Sequence, residues 1–130
     1  MSEFSNYLEN ALINAILRNT TYTSPATVYV SLWTSDPTDA GSGTEVSGGS
    51  YARTEITFAT ASGTSGQVLN DAAVEFPQAT ASWGTVAYFG INDNSSGGNL
   101  LYHSPLTTSK AIDTGDIFKF AVGSVSVTLA

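Results

Sequence analysis

Past residue 25, apolar and polar side chains of this chain alternate in short runs. In the first run, Val28, Val30 and Leu32 lie on one face, while Tyr29 and Trp33 lie on the other. Alternation is typical of β-strands, because successive side chains of a strand point to opposite faces of the sheet. This feature constrains the fold most strongly, since it requires pleated sheet over most of the chain.

Further runs follow, separated by clusters of Gly, Pro, Asn and Asp, which favour turns. About eight strands are expected, at residues 27–33, 51–58, 67–69, 73–76, 85–91, 100–103, 117–120 and 124–129. The fifth and sixth runs form the clearest hairpin. Strands do not alternate with helices, so a parallel nucleotide-binding fold is not expected. The sequence predicts one mainly β domain over residues 1–130, an antiparallel β-sandwich or a jelly-roll-like barrel.

One helix is predicted ahead of the strands, at about residues 4–18, where apolar residues recur at intervals of three and four. Asn6 and Glu9 have the spacing of a capping box, so Asn6 is the predicted N-cap. Ile13 and Leu17 extend the apolar surface beyond one stripe. The helix therefore either docks only on its own domain or also packs on a neighbouring subunit.

The charge of the chain excludes several kinds of partner. Its formal net charge is −7, and only four of the 130 residues are Lys or Arg. Binding to nucleic acid and attachment to a membrane surface both rest on many cations, so neither partner is expected. The absence of cysteine excludes disulfides, thiolate nucleophiles and Cys-ligated zinc. No apolar run approaches the ~20 residues of a membrane span, and no secretory signal is recognised at the start.

Residues suited to catalysis are sparse. The only histidine is His103, in a predicted strand, and we interpret it as a structural or surface residue. Neither a G-x-S-x-G nucleophile elbow nor a phosphate-binding glycine loop is present. Most carboxylates lie in predicted turns, where they usually bond local backbone amides. The sequence therefore predicts that the protein is not an enzyme, with no catalytic residue and no cofactor.

Two segments contain oxygen ligands at spacings that invite comparison with metal sites. Residues 92–97 are similar to the start of an EF-hand calcium loop, but asparagine and serine stand where acids are needed. Asp36, Asp39 and Glu45, in the long loop at 34–50, are a conceivable hard-cation site. Turn formation explains the asparagines and glycines of the first segment better than metal binding does. The argument for a site in the long loop rests only on the proximity of its three carboxylates along the chain. No metal site is predicted.

Aromatic rings and the long loop are the candidate contacts with a partner. On an all-β scaffold, exposed Trp and Tyr rings stack on sugars or anchor protein interfaces, although the alternative is that these rings are core. Glycine-rich loops can order against a partner, which makes the long loop and the N-terminal segment candidates as well. The candidate partner contacts are Tyr29, Trp33, Asp36, Asp39, Glu45 and Trp83.

Six stretches of the chain resemble a known group of proteins. They are ATVYVSLWTSDPTDAG at 26–41, GTEV at 43–46, YAR at 51–53, SWGTV at 82–86, GNLL at 98–101 and IDTGD at 112–116. Together with the initial helix, they are similar to small virion proteins of tailed bacteriophages, and the resemblance covers nearly the whole chain. Members of this group are often labelled loosely as tail-fibre proteins, and similar small β-rich proteins act as capsid cement or decoration proteins.

The resemblance implies a structural virion protein and brings no catalytic residues. The first expectation is a capsid cement protein that binds the major capsid protein, or another virion protein, on the outer shell and stabilises that shell. The alternative is a tail, tail-fibre or baseplate component with a host-glycan-binding role. The expected protein is a homo-oligomer such as a trimer, made in the host bacterial cytoplasm. A net negative charge helps many copies to stay soluble before assembly.

Overall fold

The computed structural model describes residues 3–63 and 66–129. Its elements are β1 (Glu3–Phe4), α1 (Asn6–Leu17), β2 (Val28–Trp33), β3 (Thr54–Ile56), β4 (Gln67–Leu69), β5 (Val74–Glu75), β6 (Gly84–Asn92), β7 (Leu100–Ile112), β8 (Lys119–Phe120) and β9 (Ser126–Thr128). The prediction of a mainly β, antiparallel fold with one N-terminal helix is confirmed. Within these two ranges, no helix is long and apolar enough to cross a membrane.

Five strands form the main sheet, in the order β1-β7-β6-β2-β3, and every neighbouring pair is antiparallel. The predicted hairpin, β6-β7, lies near its centre. However, β7 continues to Ile112, whereas the sequence predicts an end at His103. Two smaller ribbons, β4-β9 and β5-β8, contribute the opposing layer.

The hydrophobic core lies between the main sheet and the two ribbons. Val30 and Leu32 of β2 are fully buried there, on the face that the alternation assigns to the core. Phe89 of β6 meets Phe120 of β8 edge to face, with ring centroids 5.6 Å apart, and so joins the sheet to a ribbon. Sheet and ribbons therefore form the sandwich-like arrangement that the sequence predicts.

Residues 34–50, which we term the covering loop, cover part of the opposite face of the main sheet, where Asp39 lies against His103. Val46 of the same loop joins the hydrophobic core. The loop folds back along β2, where the Val46 N–H donates to the Leu32 carbonyl at 2.9 Å. The Leu100 side chain of β7 fills the space between sheet and loop: a Cβ on Gly90, at the middle of this face, would lie 2.7 Å from Leu100 Cδ1, and a Cβ on Gly41 of the loop would lie 3.8 Å from Leu100 Cβ. The sequence predicts a loop that orders against a partner, whereas the structure packs it on the chain's own sheet.

The helix start differs from the prediction. Asn6 is not the N-cap: Ser5 holds that position in an extended conformation (φ −71°, ψ 158°), and its hydroxyl accepts the Leu8 N–H at 3.2 Å. The buried Ser5 hydroxyl also donates to the Leu100 carbonyl, which ties the helix start to β7. Ser and Asn are both favoured N-caps, so two adjacent candidates are hard to separate from sequence.

Candidate functional site

The two tryptophans, which are candidate partner contacts in the sequence, are buried. Trp33 and Trp83 are 6% and 4% exposed. The Trp33 Nε1–H donates to Ser31 Oγ at 2.8 Å, and the Trp83 Nε1–H donates to the carbonyl of Gly49 at 2.9 Å. Exposed rings are therefore corrected to buried ones for two different reasons. Trp83 belongs to the hydrophobic core, whereas Trp33 lies on the opposite face of the sheet, close to the covering loop. Tyr29, the third aromatic candidate, is half-buried on β2.

Glu45, a predicted partner contact, is bonded within the chain. Its carboxylate accepts two hydrogen bonds from the Arg53 guanidinium, Nε to Oε2 and Nη2 to Oε1, both at 2.8 Å. The Tyr51 hydroxyl donates to Glu45 Oε2 at 2.6 Å and accepts the Leu32 N–H at 3.0 Å. Because paired bonds between guanidinium and carboxylate fix both position and orientation, Glu45 fastens the covering loop to β2 and to the segment before β3.

Arg53 also holds the turn between β6 and β7. Its Nη1 donates to the carbonyls of Asn94 and Gly97 at 3.0 Å and 2.8 Å. A guanidinium therefore binds the segment that resembles the start of a calcium loop, in agreement with its interpretation as a turn. The hydrogen bond to Glu45 raises the pKa of Arg53, and burial raises that of Tyr51, so both groups keep their protons.

Asp36 and Asp39 come together around His103 rather than with Glu45. His103 is 5% exposed, and its Nε2 lies 2.8 Å from Asp39 Oδ1, while its Nδ1 lies 3.9 Å from Asp36 Oδ1. β1 brings the Glu3 carboxylate to 3.8 Å from His103 Nε2. Three carboxylates therefore surround one buried imidazole, which links β7, β1 and the covering loop.

Part of this cluster has the donor set of a metal site. In residues 3–63 and 66–129, one ligand atom from each of Glu3, Asp39 and His103 lies within 4.8 Å of the others. One imidazole nitrogen and two carboxylate oxygens suit zinc and similar divalent ions. An ion here would have to replace the hydrogen bond between Asp39 and His103. The sequence does not reveal the cluster, because only the pairing of β1 with β7 brings Glu3 to His103.

A second surface consists of exposed aliphatic side chains. Ile13, Ile16 and Leu17 of α1 are 54%, 75% and 76% exposed, and Leu129, just beyond β9, is 64% exposed. We term these four residues the α1 face. They border a groove between α1 and the end of β9, which is also lined by Glu3, Phe4, Glu9, Leu12, Asp39 and Thr128. A helix that packs on a neighbouring subunit requires a surface of this kind.

The chain is similar to one described family. A family model with the description podophage GP4 fiber I protein gp80 matches residues 3–128. This range includes α1 and the strands β1 to β9, and with them the covering loop, the carboxylates around His103 and most of the α1 face. No curated protein matches the chain.

Proposed function

This chain belongs to the podophage GP4 fiber I protein gp80 family and is a structural protein of the phage virion, and we propose that it is a component of a fibre of that virion. The family match carries this proposal, because the family description names a fibre protein. The match also extends over the complete described fold rather than over one fragment of it. The proposed role is structural and includes no catalytic step.

The edges of the main sheet suit a protein that accumulates before assembly. The edge strands β1 and β3 have two and three residues. These two strands present few unpaired backbone groups, whereas residues 104–112 of β7 lie beyond β1 at an open edge, where Pro105 removes one backbone donor and Lys110 adds a charge. The net charge of −7 opposes aggregation as well.

We propose the acidic surface around His103 as the contact with another virion protein. The side chains of Asp36 and Asp39 are 54% and 40% exposed, and that of Glu3 is 54% exposed. Three partly exposed carboxylates at one place suit a partner surface that carries Lys or Arg. Of the partner contacts predicted from the sequence, this surface includes Asp36 and Asp39 but not the buried tryptophans.

A capsid cement protein, which binds the major capsid protein on the outer shell, is the second candidate. The observation that favours it is the single hydrophobic cluster of the described residues, which is typical of one small domain that can sit on a shell. A protein that bridges capsid subunits adds interface area to the shell, and many weak contacts on a repeating lattice bind strongly together.

Electron microscopy of gold-labelled virions distinguishes the two candidates. An antibody against this chain is applied to purified particles of the phage that encodes it, and particles that lack the chain serve as the control. The same particles are used to measure the molar ratio of this chain to the major capsid protein by quantitative mass spectrometry.

A fibre component gives label at a few discrete positions and a chain content far below that of the major capsid protein. Even label over the whole head, with a content comparable to that of the major capsid protein, would overturn the fibre proposal in favour of cement.

A further inference from the structure

The imidazole of His103 has carboxylate oxygens near both of its nitrogens. Nε2 lies 2.8 Å from Asp39 Oδ1 and 3.8 Å from Glu3 Oε2, and Nδ1 lies 3.9 Å from Asp36 Oδ1. A neutral imidazole carries a single N–H, so one of its nitrogens then turns a lone pair towards a carboxylate. The surroundings of His103 therefore favour a positive charge at this place.

A second proton on the imidazole supplies that charge only in part. The Nε2–H then donates to Asp39, which leaves the Glu3 oxygen at 3.8 Å, beyond hydrogen-bond distance. The Nδ1–H faces Asp36 at 3.9 Å, which is also too far. Among the described residues, no Lys or Arg side chain forms an ion pair with any of these three carboxylates. The cluster therefore keeps an excess of negative charge even around an imidazolium.

His103 Nε2 and the two carboxylate oxygens beside it are spaced for a divalent ion. Zinc lies about 2.0–2.2 Å from such nitrogen and oxygen ligands, so two ligands of a tetrahedral site are about 3.4 Å apart. The distances from Nε2 to Asp39 Oδ1 and to Glu3 Oε2 lie on either side of this value. All three ligand atoms lie within 4.8 Å of one another, so rotation of the two carboxylates can bring them around one ion.

The backbones that carry these ligands are fixed to one another. Glu3 and His103 lie opposite each other in the antiparallel pair β1-β7, and His103 also pairs with Gly90 of β6. The Asp39 carbonyl accepts the Asn6 N–H at 3.0 Å, which ties the covering loop to the start of α1. Such a site is largely formed before an ion arrives, which lowers the cost of binding.

Burial divides the cluster into a closed side and an open side. The His103 side chain is 6% exposed, whereas those of Asp39 and Glu3 are 40% and 54% exposed. An ion can therefore enter from solvent past the carboxylates and keep water in its remaining position, as in other zinc sites with three protein ligands. Asp36, at Nδ1, lies where a carboxylate commonly orients a metal-bound histidine through its other ring nitrogen.

We propose that Glu3, Asp39 and His103 form a binding site for one divalent transition-metal ion of the zinc class, with Asp36 as the carboxylate that orients the imidazole. The ion joins β1, β7 and the covering loop, so its role is structural. Hard ions such as Ca²⁺ prefer oxygen ligands alone and should bind weakly here. A Lys- or Arg-bearing partner would compete with the ion for the same carboxylates. All the named ligands come from one chain, so the site stands or fails separately from the fibre proposal.

Titration of the purified full chain with Zn²⁺, without a histidine tag, tests the proposal by NMR. His103 is the only histidine, so the imidazole signals report on this site alone. One equivalent of Zn²⁺ should shift these signals and raise the midpoint of thermal denaturation, because an ion bound only to the folded state stabilises it by mass action. Ca²⁺ at the same concentration should do neither. Imidazole signals that respond only to a large excess of Zn²⁺, or equally to Ca²⁺, would overturn the proposal.

Two glutamates on edge strands provide matched variants for calorimetric measurement of Zn²⁺ affinity. Glu3→Gln removes a half-exposed ligand on β1, so the fold should survive and the affinity should fall by about ten-fold or more. Asp39→Asn, a nearly isosteric change, should weaken binding as well. Glu55→Gln is the control, because Glu55 is exposed on β3, at the opposite edge of the main sheet. If Glu3→Gln and Asp39→Asn both bind Zn²⁺ as tightly as this control, the ion lies elsewhere and the proposal is overturned.

Discussion

The covering loop and α1 are both attached to the outside of the main sheet, but they are attached in different ways. The loop is rich in glycine and polar residues, yet Glu45 and Asp39 anchor it to the buried side chains of Arg53 and His103. The helix has a regular apolar pattern, yet none of its residues is buried.

The difference shows that regular secondary structure and firm attachment are separate properties. A few directional bonds to Arg53 and to the buried His103 hold the loop, and the loss of Arg53 leaves the Glu45 carboxylate without its cation. Half-buried aliphatic contacts, the Ser5 cap and a backbone bond from the Asn6 N–H to the Asp39 carbonyl hold the helix, and each of these contributes less. Substitutions that detach the loop should therefore cost the most stability, and substitutions on the exposed side of α1 should cost the least.

Arg53→Ala should break the attachment of the covering loop. It removes the partner of Glu45 and two donors to the β6–β7 turn, so the free energy of unfolding should fall by about 3–5 kcal/mol. Urea denaturation measures this loss. Lys110→Ala is the control, because Lys110 is an exposed cation on β7 and its replacement should change stability by no more than about 0.5 kcal/mol. Equal effects of the two substitutions would mean that this ion pair does not hold the loop.

The Tyr51→Phe variant should reveal the same attachment through the pH dependence of its stability. Burial and the hydrogen bond to Glu45 raise the pKa of Tyr51 above its unfolded value of about 10. The folded state holds this proton more tightly, so the stabilisation is present below pH about 10 and is lost as the pH rises above that value. The variant should lose about 1–2 kcal/mol at neutral pH and show a smaller further loss in alkali.

Urea denaturation at neutral and alkaline pH checks this expectation. Tyr7→Phe serves as the control, since Tyr7 is 42% exposed and should keep the alkaline loss of the unmodified chain. If Tyr51→Phe loses stability in alkali as steeply as that control, the bonded Tyr51 hydroxyl is not the source of the loss.

The strands with continuous apolar patterns are the part of the fold that the sequence predicts well. β2 follows from uninterrupted alternation, and β6 follows from a nearly continuous apolar run at residues 85–91. The second half of β7 does not, because its residues are mostly polar and include Pro105. Pro105 is tolerated there because β7 pairs with β1 only at Tyr102 and His103 and lies on the open side of the sheet beyond them.

The contacts around the covering loop cannot be predicted from the sequence, because they join distant positions. Arg53 binds Glu45, eight residues away, and also the Asn94 carbonyl, which is 41 residues away. Alternation places Trp33 opposite the core, but whether that face is open or covered depends on the path of a loop that has no periodic pattern. The buried tryptophan and the carboxylates around His103 therefore emerge only from the three-dimensional structure.

Ser5→Ala tests the attachment of α1 through the Ser5 side chain. Loss of the cap and of the bond to the Leu100 carbonyl should lower the free energy of unfolding by about 1–2 kcal/mol. Asn6→Ala provides the matched control at the neighbouring position, which is exposed and already helical, and should change stability by about 0.5 kcal/mol or less. Thermal and urea denaturation of the two variants compare them directly. A larger loss of stability for Asn6→Ala than for Ser5→Ala would mean that Asn6 caps the helix, as the sequence predicts.

Ile16→Glu should have the smallest effect on the stability of a single chain. Ile16 is 75% exposed, so at low concentration its replacement should change the free energy of unfolding by about 0.5 kcal/mol or less. Leu8→Ala, on the stripe that packs against the core, should cost about 1 kcal/mol or more in the same measurement. If Ile16→Glu lowers the free energy of unfolding at low concentration as much as Leu8→Ala does, the α1 face already stabilises the single chain. The difference in attachment between α1 and the covering loop is then smaller than the structure indicates.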